Sequence, residues 1–217
     1  MFTGIIESMG TISSLVREGE KARMGVDAGA DTQGWALGES VAVNGVCLTV
    51  CAAGDRSFAV DLSGETLQRT TFSQAQTGQL VNLERSLTPQ KKMSGHFVQG
   101  HVDGVGRVVS IAPEPGQVLL RFEHPPELAP YFIEKGSVAI DGISLTVFAC
   151  RDHGFSVSII PFTWSHTNLR SRKMGEGVNL ECDMIGKYVV KTCATLFHEG
   201  AASPGLTLET LKRLGFA

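Results

Sequence analysis

The feature that most constrains this chain is an internal duplication. Val41–Val50 matches Val138–Val147 almost position for position, at an offset of 97 residues. Three further blocks recur in the same order: Phe58–Leu62 matches Phe155–Ile159, Val81–Glu84 matches Val178–Glu181, and Gly4–Gly10 matches Gly100–Gly106 with a one-residue slip. Four blocks in one order argue against chance. This period is too long for a solenoid unit, so the 217 residues predict two similar small domains.

The seam between the copies lies between Leu87 and Gly95, where Thr88–Pro89 and Lys91–Lys92 are typical of a connection. We therefore expect an N-terminal domain over residues 1–95, a C-terminal domain over residues 96–186 and a tail over residues 187–217.

Each copy carries strand and turn signals about every ten residues. Apolar residues alternate on both sides of Asn44–Gly45 and Asp141–Gly142, and such dipeptides are typical of tight hairpin turns. After the strand that ends at Leu62, Ser63–Thr66 offers a helix cap and an early acid. Together with 25 glycines, this pattern predicts an all-β protein in which each copy is a closed barrel of about six strands.

The tail has a helical pattern instead. Ile185, Val189, Cys193 and Phe197 recur at four-residue spacing, which suits one face of a helix. After a break at Ser203–Gly205, a second apolar stripe follows at Leu208, Leu211 and Leu214. Two interpretations stay open: these stripes pad the second barrel, or the tail binds another subunit.

Composition excludes several classes of protein. A net charge of −3 argues against non-specific binding to nucleic acid or anionic membranes, and no apolar run is long enough to span a bilayer. The N-terminus lacks the basic start of a secretion signal. The five cysteines are odd in number and form no Cys-x-x-Cys pair, so we expect a reducing cytoplasm.

Common cofactor and metal motifs are missing from the sequence. Gly186–Lys187 is followed by Tyr188 rather than Ser or Thr, so it is not a phosphate-binding loop, and Gly104-x-Gly106 lacks the third glycine of a dinucleotide site. His96 and His101 are five residues apart and would face opposite sides of a strand, so we expect no shared metal. No cofactor is predicted.

The two copies differ where a pocket is expected. The aligned differences are Cys47 with Ser144, Asp61 with Ser158, Glu65 with Phe162, Ile5 with His101 and Gly38 with Lys135, while Thr49 and Thr66 are kept as Thr146 and Thr163. One interpretation is ordinary drift after duplication. The other is a pair of unlike pockets for two copies of one ligand, one acting as donor and one as acceptor.

A family resemblance bears on this choice. The segments Met1–Glu7, Asn44–Val50, Gly95–Gly104 and Asp141–Val147 together resemble riboflavin synthases of the α type, which have two lumazine-binding repeats. The similarity runs from Met1 to about Lys187. It implies two tandem six-stranded Greek-key β-barrels, a C-terminal α-helical tail that holds a homotrimer, and no cofactor or metal.

The reaction that this resemblance implies is a dismutation. Two molecules of 6,7-dimethyl-8-ribityllumazine exchange a four-carbon unit, which leaves riboflavin and 5-amino-6-ribitylaminouracil. The working site would form between the N-terminal barrel of one subunit and the C-terminal barrel of its neighbour. The sequence leaves open which pocket holds the donor and whether lumazine synthase is a partner.

The resemblance also assigns site residues to each half. The N-terminal pocket would consist of Gly4, Ile5, Ile6, Cys47, Leu48, Thr49, Asp61, Leu62, Ser63, Gly64, Glu65 and Thr66. The C-terminal pocket would consist of Gly100, His101, Val102, Lys135, Ser144, Leu145, Thr146, Ile159, Ile160, Pro161, Phe162, Thr163 and Trp164.

Four residues receive catalytic roles as hypotheses. His101 would transfer a proton, because an imidazole both takes and gives a proton near neutral pH. Cys47 would be a nucleophile or a polar wall, with a small buried apolar role as the alternative. Ser40 and Thr146 would hydrogen-bond the ring or relay protons.

Four further side chains have two interpretations each. Phe2 would pack at the site or in the core, and Asp61 and Glu65 would bind ribityl hydroxyls or be exposed strand-end acids. Phe162 departs from the family pattern, which has Glu or His there, and it cannot accept a hydrogen bond from ribityl. Trp164 would pack on the lumazine or fill the core.

Two other functions compete with the enzyme. A non-catalytic antenna protein that binds lumazine or flavin shares this fold, and a barrel-type flavin reductase would need a nicotinamide-binding domain. The polar residues kept in the two halves favour the enzyme: Cys47, His101, Lys135, Ser144 and Thr146.

Overall fold

The computed structural model describes residues 1–29, 34–200 and 212. Two closed antiparallel barrels of six strands each account for most of them, which confirms the predicted all-β double barrel. In the first barrel the strands are β1 (Ser8–Glu18), β2 (Lys21–Asp27), β3 (Ser40–Val43), β4 (Val46–Ala53), β5 (Ser57–Leu62) and β6 (Leu80–Arg85). Their order around the barrel is β1-β2-β5-β4-β3-β6.

The second barrel repeats this order. Its strands are β7 (Gly104–Glu114), β8 (Gln117–Glu123), β9 (Ser137–Ile140), β10 (Ile143–Arg151), β11 (Gly154–Ile159) and β12 (Gly177–Cys182), and they close as β10-β11-β8-β7-β12-β9. Alternate residues point inward, as the strand period requires. Val41, Leu48 and Val60 thus lie in the first core, and Val138, Val147 and Val157 in the second.

Short helices connect the strands. α1 (Gly64–Arg69) follows β5, and the hydroxyl of Ser63 accepts a hydrogen bond from the Thr66 amide at 3.1 Å, so the cap predicted from the sequence is confirmed. α2 (Pro161–His166) occupies the same place after β11. Three 3₁₀ helices lie at Thr71–Gln74, Pro126–Tyr131 and Asn168–Ser171.

The two predicted hairpin turns lie back to back between the barrels. Asn44 and Asp141 both have positive φ, 45° and 46°, as do the glycines that follow them. A Cβ added to Gly45 would lie 2.6 Å from the Gly142 nitrogen, and one added to Gly142 would lie 2.8 Å from the Gly45 nitrogen. Glycine is required here because two backbones touch, so these turns bring the barrels together.

A buried polar cluster surrounds these turns. Asn82 donates to the Asp141 carbonyl at 3.0 Å and to Asn168 Oδ1 at 2.9 Å, and Asn179 donates to the Asn44 carbonyl at 2.8 Å. These hydrogen bonds satisfy groups that burial strips of water and join one barrel to the other.

Two segments, called arms below, cross between the barrels. One comprises residues 1–7 and leads into β1, and the other comprises residues 96–103 and leads into β7. Phe2 and Val98 form an antiparallel bridge at the centre, with N–O distances of 2.7 and 3.1 Å. Beyond it, Ile6 packs against the core of the second barrel and Val102 against that of the first. Each barrel is therefore completed by the arm that leads into the other one.

The tail begins with a helix, α3 (Met184–Gly200), which confirms the helical prediction and starts shortly before residue 187. Apolar side chains on it are exposed: Ile185, Tyr188, Val189 and Leu196. Of the predicted stripe, Ile185, Val189 and Cys193 are therefore exposed on the described chain, while the side chain of Phe197 lies outside what the structure describes. The second stripe, at Leu208, Leu211 and Leu214, lies outside the described residues, as does Ser203–Gly205.

Candidate active site

The outer surface of β3 and β4 forms one side of the first site. Cys47 and Thr49 point away from the barrel core, and Ser40 pairs with Thr49 across the hairpin. Burial raises the pKa of the Cys47 thiol, while the N-terminal ammonium and a hydrogen bond from Ser40 oppose this. The Cys47 amide donates to the Gly100 carbonyl at 2.9 Å, so the arm that carries His101 forms the rim of this site.

The second site is the counterpart on β9 and β10. Ser144 and Thr146 point outward, and Ser137, which aligns with Ser40, pairs with Thr146. The Ser144 amide donates to the Gly4 carbonyl at 2.7 Å, so the arm carrying Ile5 forms the rim here.

These contacts correct the predicted division into two pockets. The sequence placed Gly4, Ile5 and Ile6 with Cys47, and Gly100, His101 and Val102 with Ser144. The structure exchanges the two segments, because the arms cross at the Phe2–Val98 bridge before they reach a barrel. Gly100 lies so close to Cys47 that a Cβ there would come within 2.5 Å of the cysteine Cβ, and Gly4 has the same relation to Ser144 at 2.6 Å. The two sites therefore combine different residues. Cys47 lies beside the arm that carries His101, and Ser144 lies beside the arm that carries Ile5.

Several predicted site residues point inward instead. Leu48, Leu62 and Ile159 are buried in the barrel cores, so they offer a ligand their backbone groups alone. Leu145 and Trp164 pack against the second core while half-buried. Phe2 is fully buried beside Ala42, Val98 and Ala139, where it supports Cys47 from behind.

The segments after β5 and β11 differ in chemistry. Asp61 forms a two-pronged pair with Arg23 at 2.8 and 3.2 Å, which lowers the pKa of that carboxyl. On α1, Glu65 lies 3.4 Å from Arg69. At the matching positions of α2, Phe162 stacks on His166 with ring centres 4.1 Å apart, and both are exposed.

The other residues of these segments have structural contacts. Ser63 caps α1 and contacts the Thr66 hydroxyl at 2.9 Å, and the Thr66 and Thr163 carbonyls accept hydrogen bonds from Thr70 and Thr167. Gly64 begins α1 and Pro161 begins α2, with Ile160 as the exposed residue before it.

A surface cleft of about 660 Å³ adjoins the first site. Asp61, Leu62 and Ser63 line it together with Lys21 and Arg23. Cys47 lies on the other side of β5, since β5 runs between β2 and β4. The structure thus places the predicted 61–66 segment between this cleft and the Cys47 surface.

Sequence comparison missed His96. Its Nδ1 lies 2.7 Å from the Ser144 hydroxyl, and its buried Nε2 meets no partner among the described residues. Burial lowers the pKa of this imidazole, with Asp183 opposing the shift. Its counterpart in the first repeat would precede Met1, so the alignment of the repeats had nothing with which to compare it.

Lys135 stands out for its backbone. Its φ is +66°, in a region that favours glycine, and the first repeat has Gly38 at the matching position with φ +81°. Its ammonium lies 5.7 Å from the centre of the Phe148 ring. A lysine in this left-handed region stores backbone strain that the glycine of the first repeat avoids.

Among residues 1–29, 34–200 and 212, no three His, Cys, Asp or Glu side chains are grouped to hold a metal ion. Within the same residues, none of the helices combines the length and the apolarity that a membrane span needs.

Comparisons with known proteins agree with this geometry. The family model described as the lumazine binding domain matches residues 3–86 and 99–183. The riboflavin synthase of Actinobacillus pleuropneumoniae is 44% identical over 218 residues and covers all of both chains. That of Bacillus subtilis is 39% identical over 191 residues, or 88% of this chain and 89% of the relative.

A solved structure shares the fold. The crystal structure of LumP complexed with riboflavin has a TM-score of 0.77 and 24% identity, and it covers 84% of this chain and 99% of that one. Two lumazine-binding domains, together with this identity to the synthases over the whole chain, show that the protein belongs to the riboflavin synthase family.

Proposed function

We propose that this protein is a riboflavin synthase that converts two molecules of 6,7-dimethyl-8-ribityllumazine into riboflavin and 5-amino-6-ribitylaminouracil. The observation that carries this proposal is the pairing of two similar sites with unlike side chains. One has Cys47 beside the arm of His101, and the other has Ser144 beside His96. Two unlike sites suit a reaction in which identical molecules take different parts.

The chemistry begins at the C7 methyl group of one lumazine. Its proton is acidic because the carbanion delocalises into the ring, and the exocyclic carbon then attacks the second molecule. Two carbon–carbon bonds form between the molecules, and two ring carbon–nitrogen bonds of the donor break. Its four carbons thereby pass to the acceptor, and the donor's nitrogens leave as the amino groups of 5-amino-6-ribitylaminouracil. Holding the two flat rings face to face lowers the activation barrier, and orientation of this kind accounts for up to about 7–11 kcal/mol.

The side chains that move protons differ between the two sites. His101 lies on the rim of the first site, where an imidazole takes or gives a proton near neutral pH. In the second site, His96 is hydrogen-bonded to Ser144, and burial lowers the pKa of its imidazole. Ser40 and Thr146 present hydroxyls beside these groups, and Lys135 offers a cation to an anionic ring. Such acid–base help is typically worth about 10²–10⁴-fold.

A homotrimer is part of this proposal. Each site is open to solvent on the described chain, since Thr49 and Thr146 are exposed. The apolar residues of α3 are exposed as well and offer a surface for a neighbouring copy. The trimer would bring the first site of one subunit to the second site of the next.

Finer organisation is proposed on the same grounds. Residues 1–95 and 96–186 would be the two lumazine-binding units and residues 187–217 the trimerisation tail. We interpret the return of β6 beside β3, and of β12 beside β9, as the Greek-key connection. The five cysteines are free thiols, which supports a cytoplasmic location.

Turnover of the lumazine is the direct test. The purified protein is mixed with 6,7-dimethyl-8-ribityllumazine, and its loss and the appearance of riboflavin are followed by absorbance. The enzyme is expected to form one riboflavin for every two lumazines consumed, and His101→Gln to be much slower. Tight binding without turnover would favour the antenna alternative. This chain is 24% identical to LumP and 44% identical to the A. pleuropneumoniae synthase, which favours the enzyme.

A further inference from the structure

Two buried glutamates lie outside the proposed chemistry. Glu84 on β6 and Glu181 on β12 are each about 2% exposed, and they occupy matching positions in the two repeats. A buried carboxylate is costly unless hydrogen bonds compensate it, so its partners indicate its role.

Glu181 binds the backbone of the second arm. Its carboxylate accepts hydrogen bonds from the amides of Gln99 at 2.6 Å, Gly100 at 2.9 Å and His101 at 2.9 Å. The same stretch then crosses to the first barrel, where the Gly100 carbonyl accepts the Cys47 amide at 2.9 Å. A continuous set of contacts therefore runs from the last strand of the second barrel to the site on the first.

Glu84 makes the mirror-image contacts. It accepts hydrogen bonds from the amide and the hydroxyl of Thr3, both at 2.7 Å, and from the Gly4 amide at 2.9 Å. The Gly4 carbonyl in turn accepts the Ser144 amide on the second barrel at 2.7 Å. Lys91 adds an ion pair with Glu84 at 3.2 Å.

We propose that Glu84 and Glu181 are positioning residues that act crosswise, each holding the arm that completes the site on the opposite barrel. Glu181 sets the placement of His101 over Cys47, and Glu84 sets the placement of Ile5 over Ser144. The effect on riboflavin formation rests on the proposed function, whereas the structural coupling does not.

The crosswise effect follows from how the arms are anchored. Loss of a carboxyl oxygen leaves buried N–H groups of the arm without an acceptor, and leaving such groups unpaired is costly. A glutamine accepts hydrogen bonds through one oxygen only. Its amide NH₂ group is a donor and would face the remaining N–H groups of the arm, which it cannot satisfy. The arm would then detach from its own barrel first, and the contact at the opposite site would loosen with it.

Hydrogen exchange at single amides tests the coupling without any substrate. The amides of Cys47 and Ser144 are the reporters, because each donates to an arm carbonyl on the opposite side. Glu181→Gln should raise exchange at Cys47 by about tenfold, the factor expected for loss of roughly 1.4 kcal/mol of hydrogen bonding, and leave Ser144 unchanged. Glu84→Gln should do the reverse. The Val60 amide, in the ladder of the first barrel, monitors opening of the whole barrel.

Two outcomes overturn the proposal: unchanged exchange at Cys47 in Glu181→Gln, or equal changes at both reporters in either variant. Should Glu181→Gln fail to fold, Glu181→Asp keeps the carboxyl group on a shorter side chain, and a smaller increase confined to Cys47 is expected. Kinetics then supply the functional readout. Glu181→Gln should lower kcat, with Glu181→Asp in between. A crosswise exchange pattern in a protein that turns over no lumazine would disprove the proposed function and leave the coupling intact.

Discussion

The two barrels are alike inside and unlike outside. Both close with the same strand order, and both meet through a hairpin turn with the same backbone conformation. On the outer surface, the Glu65–Arg69 ion pair is replaced by the Phe162–His166 stack. The duplication has therefore kept what closes and joins the barrels and changed the outer surface that we propose for the ligand.

The inner surface between the barrels also contains a difference that changes its charge. The first repeat has Asn44 and Ala75 where the second has Asp141 and Arg172, which form a buried ion pair through two hydrogen bonds. Coulomb attraction to Asp141 raises the pKa of the Arg172 guanidinium, against the effect of burial. The second barrel thus has an ionic link at a place where the first uses neutral groups.

Converting this link to the first repeat's version should have the largest effect on stability. Asp141→Asn leaves Arg172 without its buried counter-ion and should lower the free energy of unfolding by about 3–5 kcal/mol. Asparagine tolerates the positive φ of this turn, so backbone strain does not contribute. Urea denaturation at one fixed protein concentration measures the loss.

The double variant Asp141→Asn/Arg172→Ala is the matched control. It recreates the pair found in the first repeat and removes the unpaired charge, so it should recover at least half of the loss. If the double variant is less stable than Asp141→Asn alone, the ion pair is not the source of the difference between the barrels.

How far the sequence could predict these features depends on how local each one is. The hairpins follow from Asn44–Gly45 and Asp141–Gly142, and the cap of α1 follows from Ser63, so their positions were predictable. The crossing of the arms was not, because two equivalent arms fit either barrel equally well as sequences. Their exchange depends on Phe2 pairing with Val98, a contact between residues far apart in the chain.

The two buried glutamates offer a second comparison, in their response to pH. Lys91 pairs with Glu84, whereas Lys187 pairs with Asp103 and acts on Glu181 from a greater distance. Burial raises the pKa of Glu181 from its usual 4.5 to about 7. The three amide hydrogen bonds and the charge of Lys187 act in the opposite direction and lower it. The folded protein therefore holds a proton there that the unfolded chain releases between these pH values.

Stability should be highest below about pH 4.5 as far as this group is concerned, and it should decline by about 3 kcal/mol as the pH rises to about 7. Urea denaturation between pH 5 and pH 8 measures this slope. Glu181→Gln should flatten it, since glutamine does not titrate, and an unchanged slope would assign the pH dependence to other groups.

His101 and Ile5 test whether the unlike arms have unlike roles. His101→Gln removes an imidazole at the rim of the Cys47 site and should lower kcat/KM for lumazine by about a hundredfold, a typical loss of acid–base help. Ile5→Ala removes apolar contact at the other site and should affect KM more than kcat. Steady-state kinetics followed by absorbance measure both, and equal losses in kcat would contradict the division of roles.

The smallest expected effect concerns Lys135 and Gly38, which share a left-handed backbone conformation. A non-glycine residue in this conformation destabilises the folded state by on the order of 1–2 kcal/mol. Replacing it with glycine removes that strain, but the more flexible unfolded chain offsets part of the stabilisation. Lys135→Gly should therefore raise the free energy of unfolding by less than about 1 kcal/mol. The same variant should weaken lumazine binding, because the only change at the site is loss of the ammonium and its stem.

Gly38→Lys is the mirror experiment. No atom lies within 4 Å of a Cβ at that position, so the expected loss, about 1 kcal/mol, comes from the backbone alone. Thermal unfolding at matched concentration resolves differences of this size. If Lys135→Gly destabilises the protein as much as Gly38→Lys does, then Lys135 is kept for packing. If it stabilises the protein while binding weakens, the second barrel holds a strained lysine for the sake of its ligand.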